Sequence, residues 1–341
     1  MKKQLLLVIT VVLFAIFLAA CGSDDNSASE EGENNKETKN TEDTADAAET
    51  SITVSDIYGE QTFEEVPERI VVLEWVYAED LLALGIQPVG MADMEGYHSW
   101  INIEPALGED VEDVGTRQEP NLEAIHALDP DVIITASSRH EGILDSLKDI
   151  APTLAYNAYP EEGAGTQYEE MESTFKEIAK LVQKEEEADQ ILSDLSQAYT
   201  DIESEISDAG VENKQFVLSQ AYSSENSPVI RLFKDNAMAT EIMTEIGLEN
   251  AYQSDGFQVY GFDETSVEAL QTVQDAHFFY IVQEDDNIFS NQLAGNPAWE
   301  DLAFVKEDRT YQLPGDTWTF GGPLSAEVFA NQIKEALVQA K

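Results

Sequence analysis

The residues of this chain best suited to chemistry are its rare cations and its indoles. With 68 acidic residues against 18 basic ones, the formal net charge is −50. In so anionic a chain, an arginine outside a helical pattern points to a specific task. Arg117 follows Gly115-Thr, and Arg139 follows Ser137-Ser and precedes His140. Arg231 stands in Pro228-Val-Ile-Arg-Leu-Phe. Trp75, Trp100 and Trp318 stand in Glu74-Trp75, Tyr97 to Trp100 and Thr317-Trp318-Thr-Phe320-Gly-Gly, and Tyr222 and Tyr260 complete the set. A guanidinium can donate to two oxygens at once, and a charge-assisted hydrogen bond contributes roughly 1.5–3 kcal/mol. An indole adds broad apolar contact. Together these groups suit the grip of a small, oxygen-rich molecule with an apolar rim. Each aromatic taken alone is as well explained by packing; Arg117 and Arg139, which follow loop-forming residues, are not.

Bond-making chemistry has no comparable signature. The sequence holds no G-x-S-x-G elbow, no phosphate loop, no G-x-G-x-x-G and no H-E-x-x-H. His98, His126, His140 and His277 show no metal-ligand spacing, which argues against capture of bare zinc or manganese. They read as structural or surface groups, with His140 the exception because of its neighbour Arg139. The chain therefore reads as a binder that needs no covalent cofactor rather than as an enzyme. Its acidity argues strongly against nucleic acid and anionic lipid surfaces as partners.

Elements that would carry these groups follow from apolar spacing. Arg69 to Leu73 reads as a buried strand, Ala78 to Leu84 as a helix closed by Gly85, and Pro88 to Met91 as a strand. Asn121 to Leu128 reads as a capped short helix, Asp131 to Thr135 as a strand, Gly142 to Ile150 as helical and Thr153 to Tyr156 as extended. Strands alternating with helices make parallel βα units, and the candidate groups fall where strands end and loops begin. The second half repeats the pattern. Asn121-Leu-Glu-Ala-Ile-His-Ala-Leu aligns without gaps on Ser266-Val-Glu-Ala-Leu-Gln-Thr-Val, and Leu82-Ala-Leu-Gly85-Ile echoes Thr244-Glu-Ile-Gly247-Leu. Two related lobes are expected, over residues 52–165 and 210–341. Between them, residues 166–209 read as two helices broken near Lys184 to Glu187. A helix is a stiff strut, so opening between the lobes should be small.

The N-terminus addresses the compartment. Lys2 and Lys3 precede an apolar run, Leu5 to Ala19, that is too short for a comfortable membrane span. Residues 1–20 read as a signal peptide ending at Cys21, the only cysteine. That arrangement resembles the lipobox of bacterial lipoproteins, in which the thiol is acylated; a stray cysteine after an ordinary signal is the alternative. Residues 22–51 carry no aromatic or sizeable apolar residue and read as a disordered tether. The expected place is the outer face of the cell membrane, lipid-anchored.

Arg69-Ile-Val-Val-Leu-Glu-Trp75, Leu81-Leu-Ala-Leu-Gly-Ile86, Val114-Gly-Thr-Arg-Gln-Glu-Pro-Asn-Leu-Glu123 and Thr317-Trp-Thr-Phe-Gly-Gly-Pro-Leu-Ser325 resemble the ferric hydroxamate-binding proteins. These belong to the iron/cobalamin class of ABC-transporter substrate-binding proteins. The resemblance runs from about residue 66 to 338. It implies an α/β fold of two Rossmann-like lobes joined by a long rigid helix (the type III solute-binding architecture), with Trp75, Trp100, Arg117 and Trp318 in a shallow cleft. Its implied ligand is an Fe(III)-siderophore chelate, because free ferric ion hydrolyses at neutral pH and travels closed inside its chelator. The family's usual aromatic near position 139 is replaced here by Ser-Arg139-His140, as in relatives that take ferric citrate or carboxylate siderophores. A chelate carrying carboxylate is therefore expected, with Arg231 as a third cation and Tyr222 beside it. The family docks on its permease through one acidic residue per lobe, and Glu141 and Asp235 stand near the matching positions, although in so acidic a chain a solvated surface role is the stronger reading for either. The expected partners are the ferric siderophore and an ABC permease with its ATPase, bound by a monomer. Haem or cobalamin as cargo, an α/β enzyme, and an adhesion or sensor lipoprotein remain open alternatives at this point.

Overall fold

The computed structural model describes residues 51–225 and 227–339. The expected signal segment 1–20, Cys21 and nearly all of the tether lie outside the described residues. Among the described residues, no helix is long and apolar enough to cross a membrane.

The first lobe opens with an antiparallel hairpin, β1 (Ile52–Asp56) and β2 (Gly59–Phe63). Behind it, β3 (Ile70–Val72), β4 (Gly90–Met91), β5 (Glu112–Asp113), β6 (Val132–Ala136) and β7 (Thr153–Tyr156) form an all-parallel sheet in the order β5-β4-β3-β6-β7. Period-two alternation feeds two cores. Ile70, Val72 and Ile134 face one, while Val71, Leu73 and Ile133 face the other, all fully buried. The strand order reverses between β3 and β6. Open α/β sheets bind ligands beyond the strand C-termini at such a reversal. Here β3 runs into α1 (Trp75–Ala83), and β4 into α2 (Met94–Trp100). Further on come α3 (Leu122–Ala127), capped by the Asn121 side chain, then α4 (Ser137–His140) and α5 (Leu144–Lys148). The Ser137–His140 stretch, expected as a loop, is thus a helical turn directly after β6.

Two helices follow, α6 (Gln167–Leu181), held by a Thr166–Glu169 capping box, and α7 (Glu185–Asp208). At 1.5 Å per residue the 24 residues of α7 extend about 36 Å. Ile191 and Leu192 pack on the first lobe's core, while Leu195, Tyr199, Ile202 and Ile206 are buried in the second's. One rigid element therefore belongs to both cores.

The second lobe contains β8 (Gln215–Ser224), β9 (Ser227–Phe233), α8 (Met238–Glu245), β10 (Glu249–Asn250), β11 (Phe262–Thr265) and β12 (His277–Ile281). Two short helices, α9 (Pro297–Glu300) and α10 (Ala303–Lys306), precede β13 (Thr310–Leu313) and the long α11 (Pro323–Gln339). The sheet order is β11-β9-β8-β12-β13, with β10 also on β8. β8, β10, β12 and β13 are parallel, and β9 alone runs against them, pairing antiparallel with both β8 and β11. The repeat detected in the sequence is real at the helix ends. Gly85 and Gly247 take positive φ (74° and 81°), with matching bonds from Ile86 N to Leu81 O and Leu248 N to Met243 O. It is imperfect elsewhere. Ser266 opens a 3₁₀ turn without capping it through its side chain, and the β8–β9 hairpin has no counterpart within the first lobe's all-parallel sheet. A second bridge was also not legible. Leu324 and Val328 of α11 pack on the first core, while Phe329 and Ile333 fill the second.

Candidate ligand-binding site

Between the lobes lies a cleft of about 1120 Å³, part of it open to solvent. One wall is made by Trp75, Trp100 and Arg117, the other by the C-terminal half of β8, Arg231 on β9 and the turn after β12; Trp318 and Phe320 lie on the returning chain. The turns after β3, β8 and β12 all open toward it, so both sheets present their strand C-termini to the same space.

The centre of the first wall is a stacked pair. The Arg117 guanidinium carbon lies 3.4 Å from the Trp75 ring centroid. Trp75, the first residue of α1, is 2% exposed and donates from Nε1 to the Asp93 carbonyl. Trp318 meets it edge-on at 5.1 Å, and Phe320 continues the aromatic surface 5.5 Å further along. Gly115 makes the Arg117 loop possible. Its φ is 97°, and a Cβ there would fall 2.9 Å from the Asn121 nitrogen.

The arginines are not free charges. Arg117 Nη1 donates to Glu74 Oε1 at 2.7 Å, and its Nε donates to Asp93 Oδ2 at 3.2 Å. Arg139 Nε donates to the other oxygen of the same Glu74 at 2.5 Å. Glu74 is therefore a shared, buried counter-ion placed at the β3 end of the sheet reversal, where it faces the residues that follow β6. Two cations and two carboxylates make this cluster neutral. Arg117 Nη2 has no protein acceptor among the described residues, which leaves donors on the cleft wall for an incoming ligand. Burial and the Glu74 charge pull the Arg139 pKa in opposite directions, and the guanidinium ends above its ordinary value.

His140 corrects the reading of it as a ligand contact. It is 1% exposed, with Nδ1 2.5 Å from the Thr135 hydroxyl and Nε2 2.7 Å from the Arg117 carbonyl. A carbonyl only accepts, so Nε2 carries the proton and Thr135 donates to Nδ1. Burial lowers the pKa of His140, in keeping with this neutral form. The imidazole holds the Arg117 backbone and has no nitrogen left for a ligand. Arg139 is partly exposed and is not among the residues that line the cleft. Tyr97 turns inward and packs edge-on against Trp75.

In the second lobe, Arg231 spans Phe262 and Tyr222 at 4.5 and 4.9 Å. It donates to Glu264 at 3.2 Å and to Gln220 Oε1 at 3.1 Å. Tyr260 is half exposed and meets Tyr159 edge-on at 5.0 Å, beside the cleft. At the cleft, Gln283 donates across the lobes to the Ser99 carbonyl at 3.3 Å, and Asn102 donates to Asp316 at 3.1 Å. Glu141 is exposed on the turn after His140, and Asp235 is exposed while accepting from Asn250 at 2.9 Å. Asp93, Gln283 and Asp286 were not singled out from sequence. Only the αL conformation of Asp93 (φ 62°) marks it, and nothing in the chain's order could show it.

Comparison with known proteins agrees with this architecture. Residues 70–317 match the family described as periplasmic binding protein. The chain is 30% identical over 334 residues to the Fe(3+)-citrate-binding protein YfmC of Bacillus subtilis, covering 97% of this chain and 96% of that one. Over 102 residues (30% of this chain, 34% of the relative) it is 45% identical to the Fe(3+) dicitrate-binding periplasmic protein FecB of Escherichia coli. The crystal structure of siderophore-binding FhuD from Vibrio cholerae, bound to Fe3+-Desferal, aligns with a TM-score of 0.72 at 28% identity. That alignment covers 80% of this chain and 98% of the other. The fold is the type III arrangement of two α/β lobes on a helical bridge. By match length and by fold, this chain belongs to the periplasmic binding protein family.

Proposed function

We propose that this protein captures a ferric siderophore of hydroxamate or citrate type outside the cell and delivers it to an ABC permease, without catalysing a reaction. The observation that carries the reading is the Arg117–Trp75 stack, completed by Trp318 from the returning chain, on a cleft both lobes share. It offers flat apolar faces together with unspent guanidinium donors. That is what the outside of a closed chelate requires, since the chelator already fills the iron's coordination sphere. The ligands named for the relatives, ferric citrate and a ferric siderophore, share this chemistry. Bridging by α7 and α11 suits a binder that closes little around its cargo. Acylated Cys21 would hold the protein at the membrane, and Glu141 and Asp235 are the candidate contacts to the permease.

Titration of the protein with ferric citrate, a ferric trihydroxamate, haem and cobalamin tests the reading through tryptophan fluorescence. Saturable quenching by a ferric chelate, reduced at least tenfold in affinity by Trp318→Ala, is expected. Quenching by cobalamin or haem alone would refute it. Replacing Cys21 by Ser should move the protein from the membrane fraction to the medium.

A further inference from the structure

The segment that brings Trp318 and Phe320 to the cleft has few bonds of its own. Trp318 Nε1 and Thr319 Oγ1 are buried and make no hydrogen bond among the described residues. Just before them, Thr317 Oγ1 donates to Gln332 Oε1 of α11 at 2.8 Å, a bond within the second lobe. Just after them the chain enters α11 and meets Glu79 on α1 of the first lobe. Ser325 donates to that carboxylate from N at 2.6 Å and from Oγ at 2.7 Å. Glu79 is 0% exposed. It satisfies an amide that the first turn of a helix leaves unpaired, at the end where negative charge is favoured.

The backbone ahead of α11 lies so close to this carboxylate that side chains are excluded there. A Cβ on Gly321 would fall 2.5 Å from Glu79 Oε2. One on Gly322 would fall 3.2 Å from Glu79 Oε1 and 2.7 Å from Asp80 Oδ1. Neither glycine is among those with positive φ, so close approach is what their missing side chains serve. Trp75 and Glu79 are four residues apart on α1 and therefore share one face of the helix. Trp75 meets the Trp318 ring edge-on at 5.1 Å, and Glu79 meets Ser325. One helix face thus grips the returning chain at two points, an indole that lines the cleft and, a turn further on, a carboxylate that does not.

We propose that Glu79 is a positioning residue for the ligand site: by tying Ser325 and the Gly321-Gly322 backbone to α1, it sets the Trp318 indole against Trp75 before any ligand arrives. The inference deepens the reading of the cleft as a chelate site and rests on it for its binding assay. A wall ordered in advance need not be immobilised by the ligand. For one large side chain that advantage is about 3- to 10-fold in affinity.

Two substitutions of the full chain test it. Glu79→Leu roughly keeps the buried volume and removes both acceptors, whereas Glu79→Gln keeps polar atoms within reach of Ser325 N and Oγ. Fluorescence titrations with ferric citrate and a ferric trihydroxamate are made at a temperature where each variant is folded. Glu79→Leu should weaken binding by about 3- to 10-fold and Glu79→Gln by less than about twofold. The circular-dichroism signal of the coupled Trp75 and Trp318 indoles, identified as the part that Trp318→Phe abolishes, should shrink in Glu79→Leu and persist in Glu79→Gln. Gly321→Ala pushes the same contact apart from the other side; it should reproduce both effects, and it decides the matter if Glu79→Leu does not fold. Thr166→Ala, which removes the cap of α6, is the control: it should lose stability and keep native affinity and the native indole signal. Native affinity in the folded Glu79→Leu chain, or an equal loss in Thr166→Ala, would overturn the proposal and leave Glu79 a stabilising contact only. If the native chain binds neither chelate, the reading of the cleft fails separately, and the indole signal alone decides the role of Glu79.

Discussion

Replacing Glu74 by Gln separates the two tasks of the cluster behind the cleft, holding the arginines and setting the local charge. The change keeps the side-chain shape and one acceptor but removes the charge that Arg117 and Arg139 share at 2.7 and 2.5 Å. Removing one partner of a buried ion pair costs about 3–5 kcal/mol. The retained acceptor and the partial exposure of Arg139 reduce that to about 2–3 kcal/mol. At 2–4 °C per kcal/mol for a domain of this size, the melting temperature should fall by about 4–12 °C. Ligand binding moves differently. The cluster passes from neutral to a net single positive charge. For a chelate charge about 8 Å away, an effective dielectric of 20 gives about 2 kcal/mol, and screening over one Debye length leaves about 1 kcal/mol. Any loss from loosening Arg117 affects all chelates alike. The ratio of affinities for anionic ferric citrate and a neutral trihydroxamate should therefore rise about fivefold, and less at high salt. Fluorescence titrations at two ionic strengths, with calorimetry for the melting temperature, measure both. An unchanged ratio together with an unchanged melting temperature would show that Glu74 is not the shared counter-ion.

Arg117→Ala should weaken ferric-chelate binding by about 10- to 100-fold, the worth of one charge-assisted hydrogen bond, in the same titration. Arg139→Ala should cost less, because Arg139 is not among the residues that line the cleft; a larger loss for Arg139 would reverse this assignment. Ser325→Ala deletes the hydroxyl that Glu79 accepts from at 2.7 Å and should lower stability by about 1–2 kcal/mol in urea unfolding. Stability should also respond to pH through Asp80, whose carboxyl is held well above the usual range, first by burial and then by the adjacent Glu79 charge. Between its unfolded and folded pKa values the folded chain keeps a proton that the unfolded chain has released. Stability should therefore be full below about pH 4 as regards this group and decline as pH rises, with Asp80→Asn flattening the slope. His140 acts with the opposite sign. Burial lowers its pKa, so acidification below about pH 6.5 should cost stability, and denaturant midpoints across pH would fail to show either trend if these groups were solvated.

Apolar periodicity and end signals made much of the fold legible. Ile70, Val71, Val72 and Leu73 read as a buried strand, and the structure buries them on both faces of the sheet. Gly85 and Gly247 closed equivalent helices, and the spacing from Ile191 to Ile202 put a long helix between the lobes. These features depend on near neighbours in the chain, so the order of residues is enough to specify them. Scarcity made the arginines visible, since in a chain this acidic each cation stands out, and Arg117, Trp75 and Trp318 do meet at one cleft. What each charge is paired with was decided elsewhere. Glu74 lies 43 residues from Arg117 and 65 from Arg139, and it became their common partner because β3 and β6 are neighbours at the reversal of the sheet. His140 was drawn inward by the Thr135 hydroxyl and the Arg117 carbonyl, and Glu79 found Ser325 246 residues away through the crossing of α1 and α11. Sequence alone determined the secondary elements, the two-lobed plan and the residue types able to hold a ligand. Tertiary structure alone decided which charges are neutralised and which donors stay free, because Coulomb and hydrogen-bond energies depend on distances that only the folded chain sets.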